Sequence, residues 1–312
     1  MKHFTTIADV PSLNYLLAMG KKLQQNPLAY HQTGKGKTLG LLFFNPSLRT
    51  RLSTQKAAYN LGMNVITLNV NNEGWQLELE DGTVMNQGSQ EHIKEAAAVL
   101  SQYCDIIGIR SFAKLENRQE DENEIILKKF KQYACVPIVS LESATAHPLQ
   151  AFADLLTLMD TAIKQPKVVL SWAPHPKALP HAVANSFCQW TLAAGYDLTI
   201  THPKGMELNA AITAGARIEH DQLKALENAD FIYTKNWSSY TDYGKVNTEN
   251  SDWIITEEKL KSAQFMHCLP VRRNVVVTDQ VLDGTNSLAI QQAQNRTYAA
   301  QAVLLKLLTN EN

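Results

Sequence analysis

TLGLLFFNPSLRTRLSTQKAAYNLGMNVITLNV, residues 38–70, decides how the chain is read. TLGLLFF (38–44) and NVITLNV (64–70) are apolar runs of the kind found in strands covered on both faces. Between them, RLSTQKAAYNLG spaces its apolar residues as a helix does. Strand, turn and amphipathic helix, repeated, is the alternation of a parallel α/β fold.

Working outward, DIIGIRS (105–111) and VPIVSL (136–141) continue the first set of strands, with SQEHIKEAAAVLSQY as a helix between. PKVVLSWA, YDLTITHP, ADFIYTK and AQFMHCLP read as a second set. PLQAFADLLTLMDTA (148–162) is a helical stretch between the two and a candidate hinge. The ending NRTYAAQAVLLKLLTN predicts a long amphipathic helix. At 312 residues and 45% hydrophobic content the chain can build two cores. The expected architecture is two parallel-sheet α/β domains facing an interdomain cleft: 1–145, with the terminal helix 285–312 returning to it, and 146–284.

A formal net charge of −1 gives no overall pull toward nucleic acid or acidic membranes, so anion chemistry must come from local clusters. No run of about 18 apolar residues could span a bilayer, and the amino terminus lacks a basic segment followed by an apolar one, so a cytoplasmic location is expected. Cys104, Cys135, Cys188 and Cys268 form no CxxC pair, which fits reduced thiols rather than a disulfide frame or metal site. Three of them are expected simply to pack.

Ligands of open α/β sheets bind beyond the carboxyl ends of the strands. NPSLRTR, IRSFAKLENR, ESATAHPLQ, WAPHPKALPHAVANS and HCLPVRR all follow predicted strands. In NPSLRTR, Ser47 or Thr50 can cap the helix that follows. The free backbone N–H groups there favour a phosphate, to which Arg49 can add a bidentate contact. No GxxxxGK[ST] run is present, which excludes a Walker loop, and no GxGxxG follows a strand, which argues against a nicotinamide-dependent oxidoreductase.

SxRTR at 47–51, HPLQ at 147–150 and HCLP at 267–270, in that order and spacing, resemble the aspartate/ornithine transcarbamylase family over essentially the whole chain. The resemblance implies that Ser47, Leu48 (through its backbone N–H), Arg49 and Thr50 hold the phosphate of carbamoyl phosphate. Arg110, His147 and Gln150 then surround the carbonyl oxygen as donors, and Arg296, read as opening the last helix, returns to the same site. Preorganised donors at that oxygen would stabilise the charge developing as an amine attacks. Cys268 and Leu269 match the ornithine-side branch, since the aspartate branch usually reads HPLP. The reaction requires no metal or organic cofactor, and the leaving phosphate can itself take the proton of the amine. A non-catalytic binding protein would not need the carbonyl-directed set.

Ornithine transcarbamylases usually meet the α-groups of ornithine with a Ser-Met-Gly loop, whereas this chain has KNWSSYTDYG after ADFIYT. WAPHPxxLP, KNW, HCLPVRRN and the tryptophan of NEGWQLE resemble the N-acylornithine transcarbamylases instead. That implies Lys235 for the α-carboxylate, Glu142 near the amine, and Trp75 on a loop reaching a neighbouring subunit of a homotrimer acting in arginine biosynthesis. His175 and Arg272, with Arg273 as substitute, are candidates for the extra carboxylate of a succinyl group. Acetyl-type members usually have a lysine where this chain has Val276 or Val277, and a glutamate where it has Gln90. Gln90 could hydrogen-bond either acyl group, and the succinyl-type proline is absent there. N-succinylornithine is therefore the expected acceptor, with N-acetylornithine and then free ornithine as alternatives.

Overall fold

The computed structural model describes residues 1–70, 74, 76–161 and 163–309. Trp75 lies outside the described residues.

Numbering the strands of the two main sheets in chain order, the first contains β1 (Thr38–Phe43), β2 (Asn64–Asn69), β3 (Ile106–Arg110) and β4 (Ile138–Glu142), ordered β2-β1-β3-β4. All pairings are parallel, and the register sets Phe43 opposite both Asn69 and Arg110. Parallel sheets of this kind are buried by helices on their faces, which is why β1, β3 and β4 are almost entirely buried. Gly108 in β3 lies in a tightly packed layer: a Cβ there would stand 3.0 Å from Leu41 Cδ2 and 3.1 Å from Leu141 Cδ2.

The second sheet contains β5 (Lys167–Trp172), β6 (Asp197–Thr201), β7 (Arg217–Glu219), β8 (Phe231–Lys235) and β9 (Gln264–Met266), ordered β9-β8-β5-β6-β7 and again parallel. β7 was not among the expected strands. It has three residues at a sheet edge, two of them exposed, so it lacks an apolar run.

Among the described residues, the helices of eight or more residues are α1 (Leu13–Gln25), α2 (Leu48–Asn60), α3 (Ile93–Tyr103), α4 (Ile125–Tyr133), α5 (Pro148–Met159), α6 (Ala182–Ala193) and α7 (Ala289–Thr309). Ser47 rather than Thr50 caps α2, its Oγ accepting from Thr50 N at 3.3 Å. α7 lies within the expected 285–312 but starts six residues before the amphipathic stretch read from Asn295, so Arg296 lies two turns inside it rather than at its opening. The polar run Gln291–Asn295 resembles a loop because its apolar content is low, but Gln291, Gln292 and Asn295 donate hydrogen bonds to α5 and to Asp160 just beyond its end.

The chain divides into two compact units, one of Met1–Ala113, Gln119–Leu149 and Arg296–Asn312, the other of Lys114–Arg118 and Gln150–Asn295. Cys104 and Cys188 are buried as free thiols, but Cys135 is exposed, so only two of the cysteines outside HCLP pack. No helix among the described residues is long and apolar enough to cross a membrane.

Candidate active site

In the first unit the carboxyl ends of β1, β3 and β4 bring together most of the residues expected to hold a phosphorylated ligand. Arg110, the last residue of β3, is buried, and its Nη1 donates to the carbonyls of Asn45 (3.1 Å) and Pro46 (2.9 Å). Its Nη2 donates to Glu142 Oε2 at 3.0 Å, and its guanidinium lies over the Phe112 ring at 4.2 Å. One arginine thus fixes the turn leading into α2 and holds the carboxylate that ends β4. Arg110 Nε is buried with no hydrogen-bond partner in the protein, a donor left for a ligand.

Arg296 reaches from α7 to donate to Thr50 Oγ1 at 2.6 Å, tying the last helix to the first turn of α2. His147 is buried beside them. Burial first, then the guanidiniums of Arg296, Arg110 and Arg49, hold it well below the ordinary histidine value. Its 3.7 Å approach to Glu142 is therefore that of a neutral imidazole rather than an ion pair. Three guanidiniums against one carboxylate leave an excess of two positive charges, next to a helix start whose backbone N–H groups favour an anion. Arg51 faces another way, over the Phe43 ring at 5.6 Å, and the Leu48 side chain is exposed.

The loop between β4 and α5 is shaped by Glu124, which sequence reading missed. Its Oε1 accepts from Ser143 Oγ, Thr145 N (2.9 Å) and Thr145 Oγ1 (2.6 Å), while its own backbone takes a positive φ of 45°. Gln90, also in the first unit, is exposed and doubly paired with Gln76: its N donates to Gln76 O and its Oε1 accepts from Gln76 N, both at 3.1 Å.

In the second unit Gln150 is buried, with Nε2 donating to Asp154 Oδ1 at 2.7 Å. Its Oε1 has no hydrogen-bond partner in the protein. The amide expected to act as a donor thus has an N–H committed to Asp154 and offers an acceptor. His267, Cys268 and Leu269 follow β9. His267 N donates to Gln292 Oε1 at 2.9 Å, Leu269 N donates to His267 Nδ1 at 2.8 Å, and Leu269 takes a positive φ of 54°. Cys268 is buried, and together with Asp154 it adds to the effect of burial in pushing the Tyr233 hydroxyl far up.

Lys235 ends β8 and is buried, Nζ donating to its neighbour's carbonyl at 3.2 Å, so it is not the surface charge its residue type would suggest. Burial lowers the His175 pKa, against the opposing hydrogen bond to the Lys177 carbonyl at 2.8 Å, and the nearby charges of Lys235, Arg272 and Lys177 lower it further, so His175 stands as a neutral imidazole near the two cationic candidates Lys235 and Arg272. Arg273 is instead already paired, clamped by Asp283 and Asp279 at 2.7–2.8 Å. Val276 and Val277, at the place of the acetyl-type lysine, are buried apolar residues. Among the described residues no group of His, Cys, Asp and Glu could hold a metal ion.

A guanidinium-rich helix start beyond the strands of a parallel α/β unit suits an enzyme that grips a phosphorylated small molecule. The chain belongs to the aspartate/ornithine carbamoyltransferase family and is a carbamoyltransferase: residues 2–160 match its carbamoyl-P binding domain and residues 180–307 its Asp/Orn binding domain. It is 49% identical to an N-succinylornithine carbamoyltransferase of Bacteroides fragilis, covering 99% of each chain. It is 36% identical to an N-acetylornithine carbamoyltransferase of Xylella fastidiosa, covering 98% of each. The fold is similar, with a TM-score of 0.92, 34% identity and coverage of 98% and 100%, to a glutamate-to-alanine variant of N-acetyl-L-ornithine transcarbamylase complexed with carbamyl phosphate and N-succinyl-L-norvaline.

Proposed function

We propose that this carbamoyltransferase moves the carbamoyl group of carbamoyl phosphate to the δ-amine of N-succinyl-L-ornithine, giving N-succinyl-L-citrulline and phosphate, in the cytoplasm. The amine forms a bond to the carbonyl carbon, the bond to the phosphate oxygen breaks, and the departing phosphate takes the amine proton. The observation that carries the donor half is the cluster beside the Ser47 cap, where Arg110 and His147 meet the same Glu142 oxygen at 3.0 and 3.7 Å and Arg296 reaches Thr50 at 2.6 Å. In this reading the first unit takes carbamoyl phosphate, with Ser47, Leu48, Arg49, Thr50 and Arg296 on the phosphate and Arg110 and His147 on the carbonyl oxygen. Gln150, through its free carbonyl oxygen, and the loop of Cys268 and Leu269 meet the carbamoyl amino group. Glu142 stands near the incoming amine.

For the acceptor, the two cations Lys235 and Arg272, whose charges both act on neutral His175, support a substrate with two carboxylates. A charged site that leaves one partner unpaired is costly, so such a set favours succinyl over acetyl. The two identities point the same way, 49% to a succinyl-type relative against 36% to an acetyl-type one. The resemblance sets neutral Gln90 at the glutamate of acetyl-type members, and the acetyl-type enzyme solved with N-succinyl-L-norvaline is a glutamate variant.

The working form is a homotrimer in which the Trp75 loop of one subunit reaches its neighbour. Leu48, Leu52 and Tyr59 share one face of α2 and are more than half exposed, as is Ile66 on the edge strand β2, an apolar surface suited to another copy. Light scattering of purified protein should give three chains, and a monomer would sink the trimer. Initial rates with carbamoyl phosphate and ornithine, N-acetylornithine or N-succinylornithine test the activity. Preference for the acetyl compound would refute the succinyl assignment.

A further inference from the structure

Asp154 is a carboxylate with no solvent exposure in the middle of α5, and nothing in the reaction calls for a charge there. Its Oδ1 accepts from two side-chain amides, Gln150 Nε2 at 2.7 Å from the preceding turn and Gln292 Nε2 at 2.6 Å from α7. Gln292 is buried as well, and its other end, Oε1, accepts from His267 N at 2.9 Å. His267 Nδ1 in turn accepts from Leu269 N at 2.8 Å. One continuous set of bonds therefore runs from Gln150 through Asp154 and Gln292 to the backbone of the HCLP loop.

An amide is a donor on one end and an acceptor on the other, and the two ends have almost the same shape. Which end Gln150 offers is decided by its partner. Asp154 accepts only, so it captures the NH2 end and leaves Oε1 as the free end. The same logic fixes Gln292: its NH2 is on Asp154, so its oxygen must face the loop N–H. Burying a carboxylate costs several kcal/mol unless donors compensate it. Its retention here is explained if it selects amide orientation.

We propose that Asp154 and Gln292 are positioning residues for carbamoyl transfer: through them the Gln150 amide is locked with its oxygen free and the backbone of His267–Leu269 is held in register with it. This rests on Gln150 being a site residue as read above. The mechanism is indirect, so the effect must pass through Gln150.

The test is a double-mutant cycle on the full-length enzyme with steady-state kinetics in carbamoyl phosphate and the acylornithine. Asp154→Asn has nearly the shape of aspartate but can also donate, so Gln150 can turn over. We expect kcat to fall by roughly 10- to 100-fold with the KM for the acylornithine little changed, and to fall no further when the change is made in a Gln150→Ala background. Multiplying losses in the double variant would mean that Asp154 acts structurally, and would overturn the proposal. Near-normal turnover of Gln150→Ala alone would overturn the reading of Gln150 as a site residue and the proposal with it. Should Asp154→Asn not fold, Gln292→Met, which frees the loop N–H and one arm of Asp154, is put through the same cycle with the same criteria.

Discussion

Replacing Arg110 by methionine keeps the length of the stem and removes the guanidinium. Two losses follow, and the geometry separates them. Turnover loses a preorganised donor at the developing oxyanion, which typically costs 10²–10³ in kcat, or about 2.7–4 kcal/mol. The fold loses the partner of Glu142, a side chain only 9% exposed, against 7% for Arg110 itself, so solvent screens this pair little. Breaking a buried pair from one side costs about 3–5 kcal/mol where the remaining charge is left wholly uncompensated, which is an upper bound here because other groups face the carboxylate, among them His147 at 3.7 Å. At roughly 2–4 °C per kcal/mol for a unit of this size, that bound corresponds to a drop in the melting midpoint of at most about 6–20 °C. Adding Glu142→Gln removes the charge that has lost its arginine and should recover most of that drop while leaving the kcat deficit in place. Thermal melts and initial rates on the wild type, Arg110→Met and the double variant are the assay. A kcat within a few fold of wild type would remove Arg110 from the charge-stabilising role. An unrecovered midpoint in the double variant would refute the uncompensated-charge argument.

Three further outcomes follow from particular contacts. His147 is held neutral in the fold, so as pH falls below the ordinary histidine value the unfolded chain binds a proton that the folded chain refuses; stability should therefore decline on acidification, less steeply in His147→Gln, and identical slopes would show that other groups dominate. Arg272→Ala should raise the apparent barrier for a succinylated acceptor over an acetylated one by about 1.5–3 kcal/mol in kcat/KM, whereas Arg273→Ala, whose charge is already taken by Asp279 and Asp283, should leave kcat/KM for both unchanged; equal responses of the two arginines would refute the assignment. Glu124→Ala strips the acceptor from Ser143 and Thr145 and should lower stability by about 1–3 kcal/mol in urea melts, and a neutral result would mean that water replaces the carboxylate at no cost.

What the sequence made legible is what short-range order controls. The strand cores, the alternation and the phosphate-type turn at Ser47 depend on hydrophobic pattern and capping within a few residues, and the main strands lie where the apolar runs predict them. Failures arose where a distant partner decides. α7 begins earlier than its apolar pattern because Gln291, Gln292 and Asn295 find partners in α5 and in Asp160 just beyond it, more than 130 positions away. Arg272 and Arg273 are indistinguishable as letters, and only the fold, by setting Asp279 and Asp283 against one of them, tells the available cation from the occupied one.

Gln150 shows the limit most sharply. Its motif marks it as a polar group for the carbamoyl moiety, and residue type alone allows it to donate or accept. The choice is made by Asp154, one turn along the same helix, and Asp154 is itself held by a glutamine 138 positions away. Patterns within one helix can reveal the first pairing, since residues four apart share a face. They cannot reveal that the carboxylate is buried and shared, and it is the sharing that makes turning the amide over costly. The chemistry offered by this side chain is thus a property of the folded second unit, which is why a change at Gln292 is expected to act at Gln150 without touching it.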